Sequence, residues 1–251
     1  MTGNVEMKIR ILHEPSTSEP FVILEKPSGL PSAPLSENDD CALFQAMKLF
    51  PQIDGVSGRK PIERGLVHRI DTDTRGLVLV AASQDFYELM IEEQACDRFV
   101  KHYSATCRLD SSLLTNDSYP PHCDDVRKFF KCLENSTANE CSSVSVSSRF
   151  RFFGLSGREV RPVTELSGMA AKKKAGNKIY TTEIIARNMD DRLYSASCRI
   201  TRGFKHQVRC HLSWVSLPVL NDALYDPAFD GKSTFDFTAC TLEFLGYRFS
   251  L

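Results

Sequence analysis

The stretch that decides the fold is "VHRIDTDTRG" at residues 67–76, which runs directly into the apolar segment "LVLVAAS" at residues 77–83. Two arginines, one histidine and two aspartates lie within eight residues of this stretch. The apolar run predicts a buried β-strand, and the charges before it predict a turn at the start of that strand. Side chains on a turn that is anchored by a buried strand are held in fixed orientations, which suits a catalytic carboxylate.

Asp71 is the candidate reactive group of this turn, as a nucleophile or as a general acid or base. Charges at the start of a strand are often only a solvated turn, and spacing alone slightly favours that interpretation. The letters "DTDT" also fit the D-x-D-x-T signature of haloacid-dehalogenase-like phosphotransferases. In that family the apolar strand precedes the motif, whereas here it follows, so this hypothesis ranks low.

Composition limits the class of protein. The chain has 251 residues and a formal net charge of −1 at pH 7, so a surface that binds nucleic acid has to be a local basic patch. The nine cysteines form no C-x-x-C pair, and the charged N-terminus has no apolar core of a signal sequence. These features predict free thiols and a cytoplasmic location. No apolar run approaches the length of a membrane span.

The order of the expected elements predicts the fold class. Strands and helices alternate irregularly, with many expected hairpins, which indicates an α+β fold with a mixed, mostly antiparallel central sheet flanked by helices and loops. Phe21 to Leu24 is an expected buried strand, and Ser83 is an expected helix N-cap. Residues 110–180 are rich in Ser, Thr, Asn and Asp and are expected to form a loop-rich insertion. We expect one domain over residues 1–251.

A second charged group lies in "ITRGFKHQVRCHLSW". His206 and His211 lack the glutamate of a metal-binding helix between them, so no zinc site is predicted. Arg202, Lys205 and Arg209 could form a phosphate-binding face, and Arg209 could instead form a bidentate pair with a buried carboxylate. An equally good local interpretation is a helix whose basic side chains extend past its apolar face into solvent.

Several motifs together resemble the RluA family of RNA pseudouridine synthases. They are "LEKPSGLP", "GLVHRIDTDTRGLVLVAAS", "VKHYSA", "TTEIIAR" and "RITRGFKHQVRCHLSWVSLPVLNDALYD", in the family's order. The resemblance covers nearly the whole chain except its ends and residues 110–180. It implies the pseudouridine synthase fold and the isomerisation of uridine to pseudouridine in structured RNA, either rRNA or tRNA. It implies no metal and no organic cofactor.

The resemblance also implies roles for individual residues. Asp71 would be the catalytic aspartate, and Arg69 would fill the space of the flipped nucleotide. Tyr103, which on a strand is otherwise most simply a core residue, would stack under the base and remove a proton. Arg209 would form the ion pair that orients Asp71. The remaining expected substrate-binding residues are His68, Arg75, Arg202, Lys205, His206 and Gln207.

Some positions depart from the family pattern. Phe204 replaces a usual arginine, whose charge Arg202 or Lys205 could supply, and Arg75 replaces a frequent serine. These changes bear on RNA contacts and substrate choice. Only about twenty residues precede the first expected strand, too few for the S4-type RNA-binding domain of some relatives. A non-catalytic RNA-binding protein on the same scaffold is the main alternative, and the sequence does not choose between attack on the sugar and attack on the base.

Overall fold

The computed structural model describes residues 7–190 and 192–251. Contacts within the chain divide it into two compact units, the first formed by Met1–Lys101 with Thr238–Leu251 and the second by His102–Phe237. The chain therefore leaves the first unit once and returns to it for its last strands. The expectation of a single catalytic domain over residues 1–251 stays a prediction.

The described residues form β-strands and α-helices in an interleaved order. In chain order they are β1 (Arg10–His13), β2 (Phe21–Lys26), α1 (Ala42–Leu49), β3 (Arg75–Ala81), α2 (Gln84–Ala95), β4 (Val100–Arg108), α3 (Asp124–Glu134), β5 (Cys141–Phe153), β6 (Glu159–Val163), α4 (Met169–Lys174), β7 (Tyr180–Asp190), β8 (Leu193–Ile200), α5 (Gln207–Trp214), β9 (Phe237–Phe244) and β10 (Tyr247–Ser250). Short 3-10 turns lie at Pro51–Gly55, Pro61–Glu63, Ser111–Thr115 and Leu155–Gly157.

The first unit is built on the order β1-β2-β3-β9, with β10 paired to β9. The pair β3–β9 is parallel, and the pairs β1–β2, β2–β3 and β9–β10 are antiparallel. Strands β2 and β3 are buried on both faces except for Arg75, and apolar runs fill β2 from Phe21 to Leu24 and β3 from Leu77 to Ala81. Their inner side chains pack against α2, whose N-cap is Ser83, as predicted: Ser83 Oγ accepts a hydrogen bond from Phe86 N at 3.3 Å.

The second unit carries the strand order β4-β8-β7-β5-β6. Strand β5 pairs antiparallel with β6 and β7, and β7 pairs antiparallel with β8. Helix α5 packs against β6 and β7, and all eight of its residues are buried. The interpretation of this helix as one whose basic side chains reach solvent is therefore wrong for Arg209, which is only 3% exposed.

The expected loop-rich insertion is a second difference. Residues 110–180 contain α3, β5, β6 and α4. Helix α3 buries Val126, Phe129, Phe130 and Leu133, and β5 is a strand of 13 residues within the sheet. The polar composition hid a strand pattern, because in "CSSVSVSS" the serines alternate with valines that face inward.

The predicted α+β class with a mostly antiparallel, mixed sheet is confirmed. Among the described residues, no helix combines the length and the hydropathy that a membrane crossing requires.

Candidate active site

The Asp71 turn connects two arms of a long hairpin in the first unit. Before the turn, Gly65 O accepts a hydrogen bond from Ala81 N at 2.8 Å, and Val67 N donates one to Leu79 O at 3.2 Å. Residues 65–67 thus pair antiparallel with the end of β3, and the chain then turns and enters β3 at Arg75. Gly76 makes this entry possible: its φ is +138°, and a Cβ there would lie 2.3 Å from Ala239 O.

The backbone on both sides of Asp71 is fixed by hydrogen bonds. Ser32 Oγ donates to Ile70 O at 2.8 Å and accepts from Ile70 N at 3.1 Å. Asp71 O accepts from Thr74 N at 3.1 Å, which closes the turn. The peptide groups that flank the Asp71 side chain are therefore held from the turn and from the segment after β2.

The next two carbonyl groups are held in the same way. Thr72 O accepts from Gly29 N at 2.9 Å and from Lys26 Nζ at 2.9 Å. Asp73 O accepts from Ser28 Oγ at 2.6 Å. Four consecutive carbonyl oxygens, from residue 70 to residue 73, thus have partners, and a loop held at so many points can keep a side chain in one orientation.

Lys26 is a fully buried ammonium group beneath this turn. Its Nζ donates to three carbonyl oxygens, those of Pro27 at 2.9 Å, Leu30 at 2.6 Å and Thr72 at 2.9 Å. Burial lowers the pKa of Lys26 to about 8, and the negative charges of Asp71 and Asp73 oppose that shift. Lys26 therefore places a positive charge close to the candidate carboxylate while it holds the backbone beside it.

His68 faces inward, unlike the arginine that follows it. Its Nε2 accepts a hydrogen bond from Leu79 N at 3.1 Å, and its ring meets Phe99 edge-on at 5.1 Å. Burial of the ring, helped by the charge of Lys101, lowers the pKa of His68 to about 3, so it stays neutral. This side chain ties the turn to β3; its predicted contact with substrate stays a prediction.

The two arginines of the motif have different surroundings. The Arg69 side chain is 63% exposed, and its Nη1 lies 3.5 Å from Glu63 Oε1, a loose contact. Arg75 Nε donates to Glu25 Oε1 at 2.6 Å, and Arg10 binds the other oxygen of Glu25. Burial opposes ionisation of Glu25, yet the two arginines hold the pKa of Glu25 below its usual value. The side chain of Arg69 is therefore less constrained than that of Arg75.

The second unit contains the other residues that the resemblance assigns to chemistry. Tyr103 is buried on β4, and its ring stacks on Phe237 at 5.3 Å with an interplanar angle of 11°. Among the described residues, no group of three or more His, Cys, Asp or Glu side chains could hold a metal ion.

Arg209 forms the bidentate pair with a buried carboxylate that its sequence predicted. Its Nε and Nη2 donate to the two carboxylate oxygens of Asp222, each at 2.7 Å. Asp222 has no exposed surface, and the guanidinium lies over the rings of Tyr225 at 5.4 Å and Phe235 at 5.3 Å. Asp222 was not among the predicted site residues, and the pairing of Arg209 with Asp71 stays a prediction.

A tight turn places Asp222 against Arg209. Asn221 has a left-handed backbone with φ of +58°, and its N donates to Asp226 Oδ2 at 2.8 Å. Asp222 Oδ1 also accepts from Leu224 N at 2.9 Å. Asp222 lies in "NDALYD", the end of the last motif quoted for the resemblance. Asparagine, like glycine, is one of the residues that adopt the left-handed conformation found at Asn221.

The polar residues at the start of α5 make mainly internal contacts. Gln207 is buried, accepts from Phe204 N at 3.0 Å and donates to Thr181 O at 3.0 Å. His206 Nδ1 lies 3.1 Å from the Tyr225 hydroxyl. Of the predicted substrate-binding residues near this helix, those with exposed side chains are Arg202 and Lys205.

His211 is part of the core of the second unit. It is fully buried between hydroxyl groups, with Nδ1 at 2.8 Å from Thr182 Oγ1 and Nε2 at 2.9 Å from Ser148 Oγ. Burial lowers the pKa of His211 to about 3, so the ring is neutral. Its environment is that of a structural histidine.

Comparisons with known proteins place these features in one family. The chain is 25% identical over 225 residues to an uncharacterized RNA pseudouridine synthase of Mycoplasma pneumoniae, covering 88% of this chain and 56% of that protein. It is 26% identical over 208 residues to ribosomal large subunit pseudouridine synthase D of Zymomonas mobilis, covering 82% of this chain and 53% of that protein. The chain thus spans little more than half the length of these relatives.

Solved structures share the fold. Human RNA pseudouridylate synthase domain containing 4 superimposes with a TM-score of 0.59 at 16% identity, over 96% of this chain and 87% of that one. Human RNA pseudouridylate synthase domain containing 1 gives a TM-score of 0.60 at 17% identity, over 98% and 82% of the two chains. A family model described as RNA pseudouridylate synthase matches residues 20–214, a range that includes Lys26, Asp71, Tyr103 and Arg209. This match extends over well more than half of the residues of the chain, and the chain therefore belongs to the RNA pseudouridylate synthase family.

Proposed function

We propose that this protein isomerises uridine to pseudouridine in structured RNA, either ribosomal or transfer RNA, with Asp71 as the catalytic carboxylate. The observation that carries the proposal is the Asp71 turn. Its backbone is held at four consecutive carbonyl groups, while Asp71 itself is only partly buried and Arg69 next to it is largely exposed. Such a turn fixes a reactive group and leaves a long cation beside it to contact RNA.

The reaction moves one bond of the nucleoside. The bond between C1′ of the ribose and N1 of the uracil breaks, the base turns, and C1′ forms a bond with C5. The proton on C5 leaves and N1 gains a proton, so nothing is oxidised, reduced or hydrolysed overall. An ionised Asp71 attacks either C1′ or the base ring, and both routes gain from a carboxylate that is already positioned.

The other assigned residues would contact the extruded nucleotide or orient Asp71. A uridine in folded RNA has to leave its stack before it can react, and Arg69 would fill the space it vacates. Tyr103 would stack on the extruded base and take the proton from C5. The contact of Arg209 with Asp222 uses two of the five N–H groups of a guanidinium, and we propose that Asp71 is a further acceptor. The remaining substrate contacts would come from His68, Arg75, Arg202, Lys205, His206 and Gln207.

Two further points concern the setting of the reaction. We assign the protein to the cytoplasm, since all nine cysteines are free thiols, which suits a reducing compartment.

The phosphotransferase alternative ranks below the isomerase, because the D-x-D-x-T letters precede β3 instead of following a strand.

The test is the formation of pseudouridine in RNA. Wild-type protein, Asp71→Ala and Asp71→Asn are each incubated with total RNA, and pseudouridine is mapped by primer extension after carbodiimide treatment. Asp73→Ala is the matched control, because Asp73 is an exposed carboxylate two positions away on the same turn. We expect new stops with the wild type and Asp73→Ala, and none with the Asp71 variants.

Each alternative predicts a different result. The absence of new stops on any RNA with the wild type, while RNA binding is retained, would favour the non-catalytic RNA-binding protein. Magnesium-dependent release of phosphate that is lost in both Asp71→Ala and Asp73→Ala would favour the phosphotransferase.

A further inference from the structure

A group of aromatic side chains on the second unit has no part in the chemistry described above. It consists of Phe152, Tyr180 and Phe204, with Arg202 and Lys205 beside them, and is named here the Phe204 surface. Phe152 is 60% exposed, and Tyr180 and Phe204 are partly exposed. Exposed apolar side chains that lie together, unlike scattered single ones, are typical of binding surfaces.

The rings of this surface converge from three segments of the chain. Phe204 precedes α5 and stacks on Phe150 of β5 at 5.1 Å, with an interplanar angle of 4°. Its ring centroid lies 5.2 Å from that of Tyr180, on β7, and 5.9 Å from that of Phe152. Phe150 is buried, so it anchors the outer rings to the core.

The strand pattern explains why Phe152 is exposed. Phe150 and Phe152 are two positions apart on β5 and share a face of the sheet, but the strand ends at residue 153. The turn that follows uses Gly154 and Gly157 with positive φ, and a Cβ at Gly157 would lie 3.3 Å from Phe152 Cβ. The turn therefore abuts the side chain of Phe152 without covering it.

Positive charges flank the rings. Lys205 Nζ donates to Gly157 O at 3.3 Å, which places the ammonium at the turn beside Phe152. Arg202 stands two positions before Phe204 in the chain, and its side chain is exposed. The surface thus combines stacked rings with two cations at its edges.

We propose that the Phe204 surface binds an unpaired segment of the substrate RNA, with bases stacked on the rings and phosphates held by Arg202 and Lys205. Aromatic side chains next to cations are the usual means by which proteins hold single-stranded nucleic acid, because every base has a face that can stack. The inference rests on the proposed function for the identity of the RNA as substrate.

The first test measures binding alone. A fluorescein-labelled oligouridylate of about twelve nucleotides is titrated by anisotropy against wild type, Phe152→Ala and Phe152→Leu. Both variants lose the stacking face, and the leucine keeps an apolar side chain. We expect the dissociation constant to rise about five-fold or more in both, which is the loss of about one stacking contact. Phe229→Ala, at a phenylalanine of the same unit that is 48% exposed, is the control and should bind like the wild type.

The salt dependence separates the rings from the cations. Lys205→Ala should reduce the slope of log affinity against log salt by about 0.7, whereas Phe152→Ala should leave that slope unchanged. On an RNA that the wild type modifies, Phe152→Ala should raise KM and leave kcat as it is, because the surface holds nucleotides that do not react.

The inference and the proposed function fail in different ways. If Phe152→Ala and Phe152→Leu bind the oligonucleotide as the wild type does, the inference is wrong, whether or not pseudouridine forms. If the wild type instead self-associates and Phe152→Ala abolishes that, the surface serves a second copy of the chain and the inference is likewise wrong. If the variants bind less tightly but no RNA is modified, the inference stands and the proposed function fails.

Discussion

Asp222→Ala removes the carboxylate that neutralises Arg209 inside the second unit. Arg209 is 3% exposed and Asp222 has no exposed surface, so the variant would remove a bidentate carboxylate from a guanidinium charge that lies away from water. Removing one member of a buried ion pair costs about 3–5 kcal/mol of stability. Leu224 N also loses an acceptor, which adds about 1 kcal/mol. We expect a total loss of about 4–6 kcal/mol, or a Tm lower by about 8–24 °C.

The assay can use the natural fluorescence of the protein. Trp214 is the only tryptophan, it is buried, and it lies on α5 with Arg209. Urea unfolding followed at this residue reports on the unit that contains the ion pair. The midpoint should fall in Asp222→Ala while the slope of the transition stays the same, since a loss of stability without a change in exposed area has that signature.

A double variant separates stability from function. Arg209→Met with Asp222→Leu replaces the pair by apolar side chains, and such exchanges are often neutral within about 1 kcal/mol or even stabilising. We expect the stability of the double variant to return close to that of the wild type. If Arg209 orients Asp71, the double variant should nevertheless form no pseudouridine. A loss below about 1 kcal/mol in Asp222→Ala, or a double variant as unstable as the single one, would refute this reasoning.

Three further predictions concern the Asp71 turn and the cores. Lys26→Met should lower kcat about 100-fold because Thr72 O loses its ammonium partner and the turn shifts. Tm should fall as well, since Pro27 O and Leu30 O lose the same donor; single-turnover kinetics and thermal melts measure the two effects. For His211, whose pKa is about 3 when folded and about 6.5 when unfolded, only the unfolded chain takes up a proton between these values. His211 should therefore lower the free energy of unfolding by about 1.4 kcal/mol per pH unit as the pH falls from 6.5 to 3. Urea titrations should find this contribution missing in His211→Gln, while the similar contribution of His68 remains. Gly76→Ala should destabilise by about 3 kcal/mol or more through its positive φ and the clash with backbone, whereas Gly55→Ala, with open space around it, should not; urea titrations of the two variants make the comparison.

The elements that sequence could predict are those whose pattern is local. Strands β2 and β3 each contain an apolar run of four or more residues, and Ser83 stands at the first turn of a helix, so each carries its own signal. Strand β5 lacks such a local signal, because only Val144, Val146 and Phe150 mark its inner face and they stand among serines, which are equally common in loops. Its identity as a strand depends on pairing with β7, which is distant in sequence.

The candidate site divides in the same way. The charged turn before β3 made Asp71 a candidate, but spacing alone slightly favoured a solvated turn. The bidentate contact of Arg209 was one of several interpretations that its chemistry left open. The partner Asp222 could not be chosen from the letters alone, because many acidic residues were available and the choice depends on the turn at Asn221. The role of Lys26 depends on register: β2 pairs with β3 so that Lys26 lies opposite Gly76, beside the turn.

The hydrogen bonds that hold the Asp71 turn have a consequence for how such a protein can diverge. The groups from Lys26, Ser28, Gly29 and Ser32 reach main-chain oxygen atoms, and every amino acid supplies the same oxygen. The exposed side chains at positions 72 and 73 are therefore not what determines the path of the loop. If Asp71 is the catalytic carboxylate, as we propose, mutation at these two positions would alter the surface beside it and leave that carboxylate in place, so new RNA targets could be explored without rebuilding the turn.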